Sequence, residues 1–184
     1  MEKREKIIQA AMLLLTDNGV QATPMSAIAS AASTGMGTIY NYFATKEELI
    51  NAIYLYIKEE EARTLMAPFA NESVKRGFDH FYETLILYFI RHPLHFRFMD
   101  QFHNSPILTD ATKEEGLKVM GAFMMLMAKG QEQGILKQIH FDELFHFLHG
   151  GIMGFVRWVL TDNIPVNKTL VDSQLRIAWD AVKE

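Results

Sequence analysis

The 184-residue chain contains no cysteine. Disulfides, thiolate nucleophiles and zinc–thiolate sites are excluded together. No run of about 18 apolar residues occurs, so no segment is expected to span a membrane. There is no excess of positive charge. Lys and Arg number 18 against 22 Asp and Glu, for a net charge of −4 and a pI near 6.0. Whole-chain charge therefore gives no support to nucleic-acid binding, and only a local patch can provide it. The charged start MEKREK is followed by a short amphipathic run without a small-residue cleavage site. The expectation is no signal peptide and a cytoplasmic protein. Catalytic motifs are missing too. There is no P-loop and no G-x-S-x-G, and Gly35-Met36-Gly37 lacks both the preceding strand and the third glycine of a dinucleotide loop. His146 and His149 are three apart and His92 and His95 are close, yet neither pair has the carboxylate or thiolate that would complete a zinc site. No enzyme, cofactor or metal is expected.

What is present is organised around Thr23–Leu49, TPMSAIASAASTGMGTIYNYFATKEEL. Thr23 can cap a helix whose first residue is Pro24. Ile28, Ala29 and Ala32 fall on one face, and the small alanines allow a close helix crossing. Ser33, Thr34 and Gly35 break the pattern, and Gly35 to Phe43 resumes it. Two short helices joined by a tight turn form the helix-turn-helix plan, whose second helix enters the DNA major groove. Its outward surface would come from Met36, Gly37, Thr38, Asn41 and Tyr42. Thr45 and Glu48 have capping-box spacing. Lys46 then sits in a first helical turn, where a cation is disfavoured unless an anion lies near. A DNA phosphate is such an anion, and the Tyr40 and Tyr42 hydroxyls can reach phosphates as well. The candidate DNA contacts are Thr23, Gly35, Met36, Gly37, Thr38, Tyr40, Asn41, Tyr42 and Lys46. The competing reading makes the tyrosines core edges and Lys46 a solvated charge.

The run IASAASTGMGTIYNYFATKEEL resembles the N-terminal signature of the TetR family of transcriptional regulators. The match covers Ile28, Ala29, Ala32, Gly37, Thr38, Tyr40, Tyr42, Phe43, Lys46, Glu47 and Leu49. Three positions depart from the family pattern. Ser33 replaces the turn glycine, Thr34 a valine, and Gly35 the serine cap. Ser33 must then hold a left-handed backbone, at about 1 kcal/mol or more for a residue with a Cβ. The resemblance implies nine helices, a ligand pocket among helices five to eight, and a fourth helix linking two modules.

The rest of the chain also reads as helix, so the fold class is all-α. A first helix is predicted over 3–18, with Ile7, Ala10, Ala11, Leu14 and Leu15 as its stripe and Gly19 as its stop. A fourth runs over 46–66 to Pro68, with KEEE at 58–61 as a solvated face. Further helices are expected at 72–91 capped by Asn71, at 93–103, at 112–133 opened by Thr112 and Glu115, at 142–161, and from Asn167 to Val182. Residues 1–45 form the expected DNA-binding domain and 46–184 a ligand-binding and dimerisation domain.

Phe and Met concentrate between 78 and 158, and periodicity alone does not separate core from pocket. The pocket candidates are Phe81, Leu85, Phe89, Phe98, Met99, Phe102, Met120, Phe123, Met124, Met127, Phe145 and His149. Tyr82, His95, Gln101 and His103 are candidates to orient a ligand. The 142–161 helix is apolar nearly all round and must be covered on two sides. Gly151, Gly154 and Phe155, with Leu175 and Ala178 of the last helix, are the expected two-fold homodimer interface. The reading is a homodimeric repressor of a palindromic operator, released by a small apolar or amphipathic ligand. Alternatives are an activator or co-ligand-dependent regulator, and a small-molecule-binding module with a degenerate helix-turn-helix.

Overall fold

The structure, a computed structural model, describes residues 2–65 and 73–184. Those residues form ten α-helices: α1 Lys3–Asn18, α2 Met25–Ala31, α3 Met36–Tyr42, α4 Lys46–Leu65, α5 Val74–Arg91, α6 Pro93–Phe102, α7 Asp110–Leu117, α8 Gly121–Glu132, α9 Phe141–Thr161 and α10 Lys168–Val182. A single 3₁₀ turn, Lys118–Met120, joins α7 to α8, so the run expected as one helix is kinked. Counted as one, it brings the number to nine. Among the described residues the extended pairing is an isolated bridge between Leu136 and Lys183. The protein is all-α, as the sequence predicts. No described helix is long and apolar enough to cross a membrane.

The helices gather into two compact units, Met1–Glu60 with Pro93–Gly116, and Glu61–His92 with Leu117–Glu184. In the first, α1 buries Ile7, Ile8, Ala11, Met12 and Leu15 and stops at Gly19, whose φ of 78° needs no Cβ. Its outer flank is fastened to α6. Arg97 Nη2 donates to Asp17 Oδ1 at 2.8 Å, and Gln101 Nε2 donates to the Thr16 carbonyl at 3.0 Å. On α4, Asn51 bonds the loop before α7 through both ends of its amide, donating to the Ile107 carbonyl at 2.9 Å and accepting from Thr109 N at 3.0 Å.

In the second unit α5 packs against α8, α9 and α10. Aromatic rings fill the centre. Phe81 and Phe123 stack with centroids 3.8 Å apart, and Phe78 meets Tyr82 at 5.7 Å and Trp179 at 5.2 Å. Each fully buried ring contributes about 1.5–3 kcal/mol by leaving water. Asn167 caps α10 as expected, accepting from Leu170 N at 2.9 Å.

Several local expectations are corrected. Thr23 does not cap α2, because Pro24 holds the cap position and the buried Thr23 hydroxyl points at the Leu14 and Gly19 carbonyls. Thr112 does not open α7. Thr109 does, accepting from Thr112 N at 3.2 Å while Thr112 is buried inside the first turn. The KEEE run is not a solvated face: Lys58 is 6% exposed and lies 5.9 Å over the Tyr54 ring, and Glu61 is fully buried. The expected Asn71 cap and Pro68 stop lie outside the described residues; α5 is capped by Ser73, which accepts from Arg76 N at 3.3 Å.

Candidate functional site

The α2–α3 turn is built as a helix stop followed directly by a helix start. Ser33 N donates to the Ser30 carbonyl at 3.0 Å and Thr34 N to the Ala29 carbonyl at 2.9 Å, the paired bonds of a Schellman stop. Ser33 has φ 51°, so the left-handed conformation expected of it is present. Gly35 caps α3 with its backbone alone. Ala29 and Ala32 are buried where the helices cross. The departures from the usual turn residues thus leave its geometry standing.

Held this way, α3 buries only Ile39. Gly35, Gly37 and Asn41 are exposed and Thr38 half-buried. Met36, Tyr40 and Tyr42 are 37%, 50% and 46% exposed. Phe43 closes the helix from inside, with the Arg4 guanidinium 5.5 Å over its ring. Thr45 caps α4, accepting from Glu48 N at 3.1 Å, while Glu48 Oε2 reaches back to Ala44 N at 2.8 Å. Lys46 Nζ donates to the Val20 carbonyl at 2.9 Å. That acceptor offsets the dipole penalty of a first-turn cation, and two of the three ammonium protons stay available. Of the candidate DNA contacts, Thr23 does not belong on this surface, because it is 1% exposed and its hydroxyl is spent on the backbone.

In the second unit a cavity of about 290 Å³ is lined by Ala62, Leu65, Phe81, Lys118, Val119, Ala122 and Phe123. Phe81 and Phe123 are sequence candidates. The small residues and Lys118 are not, since nothing in their spacing sets them apart from core. Leu85, Phe89, Met120 and Met127 are buried, and Met124 is 42% exposed, so Met124 belongs to the surface. Phe141, Phe145 and His149 form a half-buried ladder along α9, with centroids 5.9 and 5.6 Å apart. Tyr82 is buried, and burial pushes its hydroxyl up to about 12. An added Cβ on Gly151 would stand 2.8 Å from that hydroxyl, so Gly151 admits Tyr82 against α9. Phe98, Met99 and Phe102 belong to the first unit, where Phe98 and Phe102 stack at 4.5 Å and all three are buried. Also there, His95 meets Tyr56 edge-on at 5.9 Å and His103 lies 6.5 Å from Tyr54.

The apolar surface of α9 and α10 is only partly where the sequence places it: Gly151 and Gly154 face outward, and the other three expected residues do not. Phe155, Leu175 and Ala178 are 6%, 8% and 5% exposed and fill the core of their own chain. The outward stripe of α9 is Phe147, Gly151, Gly154 and Trp158, at i, i+4, i+7 and i+11. Phe147 is 58% and Trp158 43% exposed. On α10 the same spacing links Leu170, Gln174, Ile177 and Ala181, with Ile177 61% exposed. Each helix carries two apolar stripes, and periodicity does not say which one faces inward.

Among the described residues no group of three or more His, Cys, Asp or Glu could hold a metal ion. Residues 7–53 match the bacterial regulatory proteins of the tetR family, and residues 55–184 match the tetracyclin repressor-like C-terminal domain. The chain is 35% identical over 83 residues to the uncharacterized HTH-type transcriptional regulator YhgD of Bacillus subtilis. That stretch is 42% of this chain and spans 43% of YhgD, so the likeness covers less than half of either protein. Two solved structures share the whole fold. A TetR family transcription regulator from Marinobacter aquaeolei superposes with a TM-score of 0.90 at 23% identity, covering 99% of this chain and 96% of that one. A tetR family transcription regulator from Shewanella sp. PV-4 gives 0.92 at 20% identity over 100% of both chains. An intact helix-turn-helix, an all-helical body and family matches that together run from residue 7 to residue 184 lead to one conclusion: the chain belongs to the TetR family of helix-turn-helix transcriptional regulators.

Proposed function

We propose that the protein is a homodimeric repressor that binds a palindromic operator and is released by a small apolar or amphipathic ligand. The observation that carries this reading is α3 itself, a seven-residue helix with only Ile39 buried. A helix so short has little stability of its own. Its exposure makes sense when its surface has a partner, and Gly35, Met36, Gly37, Thr38, Tyr40, Asn41 and Tyr42 form that surface. Lys46 adds a phosphate contact. Residues 1–45 read DNA, and 46–184 sense the ligand and dimerise.

The second stripes of α9 and α10 support the dimer. Phe147, Gly154, Trp158 and Ile177 meet the same residues of a second copy across a two-fold, in a four-helix arrangement. Two readers then reach successive major grooves about 34–36 Å apart. The cavity beside Phe81 and Phe123 is the ligand site, apolar in its walls with one cation, Lys118, on its lining. Ligand lowers operator affinity only as far as it prefers the released state, about 1.4 kcal/mol for each tenfold. The protein works in the cytoplasm, where its DNA is. The ordered Schellman stop at Ser33 speaks against a degenerate reader.

A nuclease footprint on DNA flanking its own gene, at low salt, tests this reading together with sedimentation of the free protein. A protected, roughly palindromic stretch and a dimeric mass are expected. A monomer, or protection of one half-site only, would sink the two-fold arrangement.

A further inference from the structure

Between Asp17 and Lys46 the chain carries no Asp, Glu, Lys, Arg or His. All of α2, the turn and α3 lies inside this uncharged stretch. The exposed surface of α3 resolves into three pairs of residues four apart, each pair sharing one line of the helix. Gly37 and Asn41 form the central line, opposite buried Ile39. Met36 and Tyr40 flank it on one side, Thr38 and Tyr42 on the other. Nothing of the protein lies within 4 Å of the place a Gly37 Cβ would take. The middle of the face is therefore bare backbone, able to come close to a base edge. Asn41 is the side chain on that central line, and its amide both donates and accepts.

Base edges in the major groove select their partners by chemistry. Guanine presents two acceptors, matched by Arg or Lys. Adenine presents an acceptor beside a donor, matched by the amide of Asn or Gln. The thymine methyl takes apolar contact. The face of α3 has an amide and a thioether and no cation. We propose that α3 reads A·T pairs, Asn41 pairing its amide with an adenine edge and Met36 packing on a thymine methyl. Guanine meets no Arg or Lys on this helix. The inference rests on the DNA-reading function proposed above and names the sequence class it reads. Phosphates along the reader are met by neutral donors, the Tyr40 and Tyr42 hydroxyls, while cations stand at its edges, Lys3, Arg4, Lys6 and Lys46.

Selection of duplexes from a random pool by the purified full-length protein, at one fixed salt concentration, is the test. Half-sites with A·T pairs at the positions facing α3 are expected. Asn41→Ala should lower the preference for one adenine by about tenfold and leave the other positions unchanged. Asn41→Arg should move that position towards guanine. Uracil in place of the contacted thymine should weaken the wild-type protein and leave Met36→Ala indifferent. Guanine at the contacted positions of the wild type would overturn the inference. So would an adenine preference that survives Asn41→Ala, since sequence would then be read through duplex shape or from elsewhere in the chain. A wild-type protein that selects no duplex at all overturns the DNA-reading function itself, which separates the two failures.

Discussion

Helices α3 and α9 both carry a glycine on their exposed face with nothing of the protein near it, Gly37 on one and Gly154 on the other. Around those glycines the two helices differ in every respect. Helix α3 has seven residues and buries one. Helix α9 has 21 residues and buries Leu144, Leu148, Ile152, Met153, Phe155, Val156 and Val159. Around Gly37 stand a thioether, an amide, a hydroxyl and two phenols; along the stripe of Gly154 stand a phenyl and an indole, with exposed Arg157 one turn away. An open glycine leaves room for a close approach and by itself names no partner. In the function proposed above, the partner is a polar groove edge for α3 and the same helix of a second copy for α9. Gly151 completes the contrast, because it lies one turn from Gly154 yet answers to Tyr82 inside the chain.

The comparison can be broken at its strongest point first. At Gly154 an added Cβ meets no atom of its own chain within 4 Å, so a Gly154→Leu monomer should fold, while the dimer is lost to sterics. Sedimentation should show a monomer, and affinity for a full palindrome should fall by about 10²–10⁴ as the second half-site contact is lost. A variant that stays dimeric would remove α9 from the interface. Next in size is Gly37→Leu. Helix propensity predicts equal or slightly higher thermal stability, because leucine is favoured over glycine by up to about 1 kcal/mol. Operator affinity should nevertheless drop about 10- to 100-fold, since the bare backbone has become a bulky side chain. Equal loss of both quantities would mean the glycine serves the fold.

Gly151→Ala separates the glycine that meets its own chain from the one that does not. Its Cβ overpacks against the Tyr82 hydroxyl, so denaturant unfolding should show a loss of about 1–3 kcal/mol, with the dimer intact. In a Tyr82→Phe background the penalty should largely vanish. Tyr82 also gives a pH signature. Its hydroxyl titrates near 12 in the folded chain against 10.0 when unfolded, so the folded state holds the proton more tightly. The associated stability is complete below pH 10 and is lost between about 10 and 12, on the order of 3 kcal/mol. Tyr82→Phe should flatten that segment of the stability–pH curve and leave it unchanged at neutral pH. The smallest effect is expected at the edge of the reader. Lys46→Ala should weaken binding to any duplex and reduce the salt slope by about one. It also removes the tie to the Val20 carbonyl, so a modest loss of stability should accompany it.

Much of the architecture was legible because its stops are local. Gly19 ends α1, Asn167 opens α10, and Ser33 takes the left-handed position, all readable from a few adjacent residues. What was not legible depends on distant chain. Thr23 looks like a cap until the carbonyls of Leu14 and Gly19 claim its hydroxyl. Thr109 and Thr112 stand three apart, and their spacing alone leaves open which one caps. Lys58 and Glu61 are polar in sequence and buried in the fold. The inner and outer stripes of α9 both carry aromatic residues at helical spacing, so Phe155 could be exchanged with Phe147 or Trp158 on paper. The cavity depended on small residues, Ala62 and Ala122, which leave no mark in a hydrophobic pattern.

Ser33 has a kinetic consequence. A serine held at φ 51° stores free energy in the joint between α2 and α3, so that joint lies at the shallow end of the opening spectrum. The Ser33 and Thr34 amides should exchange with solvent before those buried in α1 or α4. A reader whose joint opens well short of global unfolding can settle onto duplexes of slightly different groove width. Ser33→Gly should remove that strain, slow the exchange of both amides and narrow the range of duplexes the protein accepts.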